Sequence, residues 1–177
     1  DYDEINQLHQ ELSKLGEIEL HNNPDDISGT NSSDTFQQIN DVIQEKLYQF
    51  VYDLPFSKNR SLLDGYCGTG ILTEMLANRF EHVVGVEQNP YSIQAAEIHT
   101  EQNKIEFHQS DMENFVTTNQ QTFDTIILNP PRAGLSKLVR QSIAQSNTND
   151  IVIISCHPAA LARDTSVFCE NGYSIRT

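Results

Sequence analysis

The sequence predicts an α/β fold in which a doubly wound, mostly parallel sheet carries helices on both faces. Three observations lead there. From residue 61 onward, short apolar runs alternate with segments of helical spacing. Two glycines, Gly68 and Gly70, follow the first run, where a strand would turn tightly into a helix. The later runs are followed by Glu87, Asp111, Asn129 and Cys156, polar or reactive residues placed at strand tips, where open parallel sheets bind ligands.

The elements follow in order. Residues 1–21 place Ile5, Leu8, Leu12 and Leu15 at roughly helical spacing before Gly16, a short amphipathic helix. The stretch HNNPDDISGTNSSD (21–34) clusters turn formers and reads as a loop or disordered linker, so residues 1–35 form an acidic, partly disordered segment ahead of a domain at 36–177. Helical spacing resumes from Phe36 to Tyr52. Strands are expected at 61–63, 82–86, 105–107, 123–128 and 151–155. Helices are expected at 71–80, 90–103, 135–146 and 159–170, with a shorter one at 112–119.

The chain has 177 residues and a formal charge of −14. Residues 1–35 hold nine acids against Lys14 alone, whereas the other 142 residues hold 16 acids and ten bases. Such a balance argues against a broad nucleic-acid footprint on this chain, because binding of that kind needs Lys and Arg to neutralise phosphates. Three cysteines without a CxxC pair make neither a disulfide framework nor a zinc site, and no metal is expected. No apolar run is long enough to span a membrane, and a cytoplasmic protein is the default expectation.

The strand tips carry the chemistry. In LLDGYCGTGILTEML, Asp64 precedes Gly68 by four residues, and Thr73 stands where a dinucleotide fingerprint has its third glycine. That shape suits S-adenosylmethionine better than NAD, which needs a pyrophosphate cradle. Glu87, 19 residues beyond Gly68, stands where an acid about 20 residues on grips ribose hydroxyls. Asp111 is placed either to accept from an adenine amino group or to cap the next helix. Asn129, followed by Pro130 and Pro131, sits on a rigid loop and can orient a planar base or amide. Cys169 reads as a small buried hydrophobe, and Cys67 in the glycine loop could be packing or chemistry. Cys156 is open between core packing and nucleophile. It has polar neighbours, a loop fixed by Pro158, and a place beside the Asn129 loop if the fourth and fifth strands are neighbours.

Taken together, LLDGYCGTG, NPPRAGL and SCHPAALARD resemble the RNA uracil-5-methyltransferases, and FQQIN (36–40) resembles the segment that precedes their catalytic domain. The resemblance covers residues 36 to 175 and implies a Rossmann-like class I methyltransferase fold using S-adenosyl-L-methionine on a tRNA or rRNA uridine. Carried over residue by residue, Cys156 is the nucleophile. Gln38, Tyr66, Gly68, Gly70, Glu87, Asp111 and Asn129 line the cofactor site, and Arg132 and Arg163 support the base, a phosphate or the thiolate. The chemistry explains the thiol: carbon 5 of uracil attacks a methyl sulfonium only after a thiolate has added to carbon 6.

The departures are specific. Ile71 stands where the family often has Asn, Asn129 where many members have Asp, and His157 where Asn is usual. The family's C-terminal His-x-Glu, which supplies the proton-abstracting base, its oligonucleotide-binding barrel and its central RNA-contact domain have no counterpart before Thr177. RNA contacts are therefore expected through parts largely absent from this chain, which alone should methylate weakly or not at all. Residues 173–176 reach only the first strand of the terminal antiparallel hairpin. The fifth strand is then expected as an edge, covered by a neighbouring chain or the N-terminal segment unless the chain is a fragment. Two other readings stand beside this one: an amino-group methyltransferase using the Asn-Pro-Pro loop, and a non-catalytic cofactor- or protein-binding module.

Overall fold

The central apolar runs become strands because they are covered from both sides. The computed structural model describes residues 41–100 and 103–176. Among them it gives α1 (Asp41–Asp53), β1 (Ser61–Gly65), α2 (Ile71–Ala77), β2 (His82–Glu87), α3 (Pro90–His99) and β3 (Ile105–Gln109). There follow α4 (Met112–Thr118), β4 (Thr125–Leu128), α5 (Lys137–Ala144), β5 (Asp150–Ile153) and α6 (Pro158–Glu170). The strands form one five-stranded sheet in the order β3-β2-β1-β4-β5, every pair parallel. The sequence expectation of a parallel sheet between helical layers is met.

Side chains alternate between two cores, as strand geometry requires. Leu62, Val83 and Ile127 face one side, where they bury Val51 of α1 and Leu72 and Leu76 of α2. Leu63, Val84 and Ile126 face the other, against Phe115 of α4, Val139 and Ile143 of α5 and Phe168 of α6. Central strands so covered read as continuous apolar runs. Full burial of each such aliphatic or Phe side chain contributes about 1.5–3 kcal/mol, which decides the fold over the weak local propensity of segments this short.

Where the helices start is set by caps. Asn89 accepts from the backbone N–H of Tyr91 at 2.9 Å and Pro90 begins α3. Ser136 accepts from Val139 N–H, so α5 starts at Lys137 rather than at 135. α2 and α3 end earlier than their spacing suggests, at Ala77 and His99. The expected helix at 1–21, the boundary at residue 35, and Gln38 in FQQIN lie outside the described residues.

β5 is an edge, pairing with β4 alone among the described residues, and its four residues are all half-buried. The segment after α6 supplies no sixth strand. Instead the Tyr173 hydroxyl donates to the Thr148 carbonyl at 3.0 Å, and Arg176 pairs with Asp150 at 3.0 Å at the start of β5. That fastens the residues expected to begin a hairpin to the end of the sheet opposite the strand tips.

Candidate active site

At the tip of β1 the chain turns through Tyr66, Cys67, Gly68, Thr69 and Gly70. Tyr66, Gly68 and Gly70 all have left-handed backbone, with φ of 63°, 57° and 77°. Only glycine adopts that conformation freely, and Tyr66 holds it because the loop is tied down on both sides. The Cys67 N–H donates to the Val86 carbonyl at 3.0 Å, and the Gly70 N–H to the Cys67 carbonyl at 3.0 Å. A Cβ added at Gly68 would meet no atom within 4 Å, so the backbone faces open space there, whereas one at Gly70 would lie 2.8 Å from the Phe107 ring.

Glu87, at the tip of β2, is bound to that loop. One carboxylate oxygen accepts from the Gly68 N–H at 3.3 Å and the other from the Asn89 N–H at 2.8 Å. Two amides fix the carboxylate's direction and leave each oxygen further acceptor capacity. Beneath the turn, Asp64 is 1% exposed and accepts from the Thr73 hydroxyl at 2.6 Å. Burial raises its carboxyl to about 7. Thr73, read in the sequence as the missing third glycine, is thus the partner of a buried acid. Burial also pushes the Cys67 thiol well above its ordinary value, with the Asp64 and Glu87 charges adding to the effect. Of its two readings the structure supports the packing one. Tyr66 packs against the core below the turn, and its hydroxyl is pushed up to about 12 by burial and by the nearby acids Glu113, Asp164 and Asp111.

Asp111 caps α4, accepting from the Asn114 N–H at 2.8 Å. The capping alternative is therefore met, and the exposed carboxylate also stands at the tip of β3 beside β2.

The other half of the site comes from β4 and β5, which are neighbours as the reading of Cys156 required. The Asn129 N–H donates to the Gly65 carbonyl at 3.2 Å, bringing the start of the Asn-Pro-Pro loop against the tip of β1. The Ile154 N–H donates to the Leu128 carbonyl at 2.8 Å, extending the β4–β5 pairing by one residue. Cys156 follows two residues later, exposed. Its corner is rigid: Ser155 Oγ accepts from the His157 N–H at 3.2 Å, His157 Nδ1 accepts from the Ala160 N–H at 3.1 Å, and Pro158 opens α6. His157 therefore performs the helix cap that an Asn would perform at that position.

An open groove of about 460 Å³ lies beside this corner, lined by Arg132, Ala133, His157, Ala159, Ala160 and Arg163. Arg132 is exposed within it. Arg163 is turned inward, pairing with Asp164 at 2.8 Å and donating to the Ala133 carbonyl at 2.8 Å. Its side chain is about half exposed and lines the groove while it braces the loop. Cys169, expected as a buried hydrophobe, is exposed: the buried stripe of α6 is Ala160, Asp164 and Phe168. The described residues contain no cluster of three or more His, Cys, Asp or Glu able to hold a metal, and none of their helices is long and apolar enough to cross a membrane.

The site thus gathers Tyr66, Gly68, Gly70 and Glu87 in one hydrogen-bonded loop cluster, with Asn129 against its edge and Cys156 two strands away. The sequence reading missed the Thr73–Asp64 pair and the role of Asp164, although Asp64 and the Arg163-Asp164 dipeptide were both visible in the motifs.

A family model described as a methyltransferase domain matches residues 56–172. The chain belongs to this family. The domain is 38% identical over 124 residues to an uncharacterized RNA methyltransferase of Protochlamydia amoebophila, covering 67% of this chain and 29% of that protein. It is 34% identical over 147 residues to the 23S rRNA (uracil(1939)-C(5))-methyltransferase RlmD of Haemophilus influenzae, covering 79% and 33% of the two chains. Among solved structures it superposes on the tRNA (uracil-54, C5)-methyltransferase of Pyrococcus abyssi, in complex with S-adenosyl-L-homocysteine. That match has a TM-score of 0.66 and 29% identity over 76% of this chain and 33% of that one. The methyltransferase domain described here spans about a third of the length of the curated relatives it matches. Its fold is the Rossmann-like class I methyltransferase fold that the strand-tip motifs implied.

Proposed function

We propose that this domain binds S-adenosyl-L-methionine and takes part in methylating carbon 5 of a uridine in tRNA or rRNA, with Cys156 as the nucleophile. The observation that carries the reading is the exposure of Cys156 on a capped, rigid corner beside the Asn129 loop, which abuts the open glycine turn. The relatives named as uracil-C5 methyltransferases supply its substrate class.

The residues present fit the cofactor. The open side of Gly68 admits close approach, and the oriented carboxylate of Glu87 can accept from vicinal ribose hydroxyls. Asp111 would accept from the adenine amino group, Tyr66 and Gly70 would shape the turn, and Gln38 and Asn129 would complete the pocket. Bound there, S-adenosyl-L-methionine supplies an electrophilic methyl group on a sulfonium. Cys156 loses its thiol proton to solvent and its sulfur adds to carbon 6 of the uracil. Carbon 5 of the resulting enolate would take the methyl group as S-adenosyl-L-homocysteine leaves with the sulfur–carbon electron pair, and Arg132 in the groove would counter the negative charge on the base. Transfer of the carbon-5 proton to a base would then restore the 5,6 double bond, break the bond from carbon 6 to sulfur and release Cys156 as its thiolate. RNA contacts outside this domain would supply the basic surface that a chain of charge −14 lacks.

The test uses RNA carrying 5-fluorouridine, whose carbon 5 has no proton to lose, so the methylated adduct accumulates without a base. With S-adenosyl-L-methionine present, the parent should form an adduct that survives denaturing electrophoresis, and Cys156→Ala should form none. Methyl transfer retained by Cys156→Ala would indicate an amino-group acceptor. Calorimetry should show Glu87→Gln binding the cofactor about tenfold more weakly, equal to about 1.4 kcal/mol. No binding by the parent at millimolar ligand would refute the site.

A further inference from the structure

Asp164 is 1% exposed in the middle of α6, in the layer below the groove, and its hydrogen-bond partners come from the loop after β4 or from arginines that brace that loop. One oxygen accepts from the Leu135 N–H at 2.8 Å. The other accepts from Arg140 Nη1 at 2.8 Å and from Arg163 Nε and Nη2 at 3.0 and 2.8 Å. Both arginines also hold loop carbonyls: Arg140 donates to Leu135 and Arg163 to Ala133 and Leu135. The packing leaves no slack. At Gly134, with φ of +78°, an added Cβ would lie 2.5 Å from both Arg163 Nη2 and an Asp164 oxygen.

We infer that Asp164, through Arg140 and Arg163, is a positioning residue that fixes the Asn129–Leu135 loop against the helix whose first turn follows Cys156. The cluster is a buckle between the two loops that the proposed function places around the uracil ring, and the inference rests on that reading. A carboxylate suits the task because it accepts from one amide and two guanidinium groups at once, and its buried charge is matched by theirs. Among the described residues no hydrogen bond links the cluster to the glycine turn or Glu87, and Asn129 is held separately by its N–H on the Gly65 carbonyl, so loosening the Ala133–Leu135 end of the loop should spare the cofactor half of the site. Transfer between groups held on separate loops is sensitive to small displacements, about a hundredfold for about 1 Å.

Three variants and three readouts decide the matter. Asp164→Asn keeps an acceptor for Leu135 but loses the charge. Arg163→Met removes the donors to the loop carbonyls from a half-exposed side chain, so folding should survive even if Asp164→Asn does not fold, and Arg163→Lys restores the cation. In Arg163→Met, and in Asp164→Asn if folded, calorimetry should give a cofactor Kd within about twofold of the parent. Hydrogen exchange at Gly134 and Leu135 should quicken at least about tenfold. The rate of adduct formation with 5-fluorouridine RNA, at saturating RNA, should fall about tenfold to a hundredfold, with partial recovery in Arg163→Lys. An unchanged saturating rate in a variant whose loop exchange has quickened would overturn the inference. So would an effect confined to the RNA concentration needed for half-saturation, which would make Arg163 a direct RNA contact. A parent that binds cofactor but forms no adduct refutes the proposed reaction, and this inference with it; that outcome is read from the parent alone.

Discussion

Asp64 gives the sharpest energetic prediction. Its carboxyl is 1% exposed, and burial raises its pKa from 3.8 to about 7, against the opposing effect of the Thr73 hydroxyl 2.6 Å away. Because the folded state holds this proton more tightly than the unfolded chain does, the group's contribution is fully present below pH 3.8 and is lost as pH rises towards 7. Above that range both states are ionised and the loss is constant. At about 1.36 kcal/mol per tenfold change in acidity, the interval is worth about 4 kcal/mol. Asp64→Asn removes the titration but keeps an oxygen that can accept from Thr73. Urea unfolding of both proteins without ligand, at pH values spanning the interval, isolates the group, since every other titration cancels in the difference. The stability of the parent relative to the variant should fall by about 4 kcal/mol with rising pH, leaving Asp64→Asn the more stable partner above neutrality. A difference constant to within about 0.5 kcal/mol, or one of opposite slope, would show that the carboxyl is not held protonated and refute the reasoning.

Other substitutions probe both halves of the site. Gly134→Ala places a methyl group 2.5 Å from two polar atoms in a left-handed conformation, and should cost about 2–4 kcal/mol in chemical unfolding. Gly68→Ala, with open space around it, should cost only the conformational term of about 1–2 kcal/mol while weakening cofactor binding measured by calorimetry. His157→Ala should lower stability by about 1 kcal/mol through loss of the α6 cap, whereas His157→Asn should restore it, read from thermal melting.

What the sequence made legible was governed by short-range rules. The central strands β1, β2 and β4 were readable because each is apolar on both faces, and the cofactor turn because Gly68 and Gly70 punctuate it. Caps were half-readable: Asp111 was given two roles, and the structure displays the capping one. Long-range partners were not readable. Leu135 lies outside α5, which the Ser136 cap begins, and its buried N–H is satisfied by Asp164, 29 residues away, a pairing no local pattern announces. The same aspartate hid the buried stripe of α6. With Ala160, Asp164 and Phe168 facing the core, a search for apolar periodicity passes over the acid and turns the helix, which is how Cys169 came to be placed inside. The hairpin strand expected at residues 173–176 was misplaced for a similar reason: the ion pair between Arg176 and Asp150 anchors that stretch elsewhere.

The contact between Asn129 and Gly65 has one more implication. It sits where β1 and β4 lie side by side while their chains depart to opposite layers of the sheet. Everything proposed here to grip the methyl donor among the described residues, apart from Asn129, is encoded before residue 112, and everything that faces the acceptor after residue 128. The two tasks occupy separate stretches of one polypeptide joined at a seam. Changes in the later stretch can therefore redirect the acceptor atom while the earlier one keeps its donor, and chimaeras cut between α4 and β4 would follow the natural joint of the molecule.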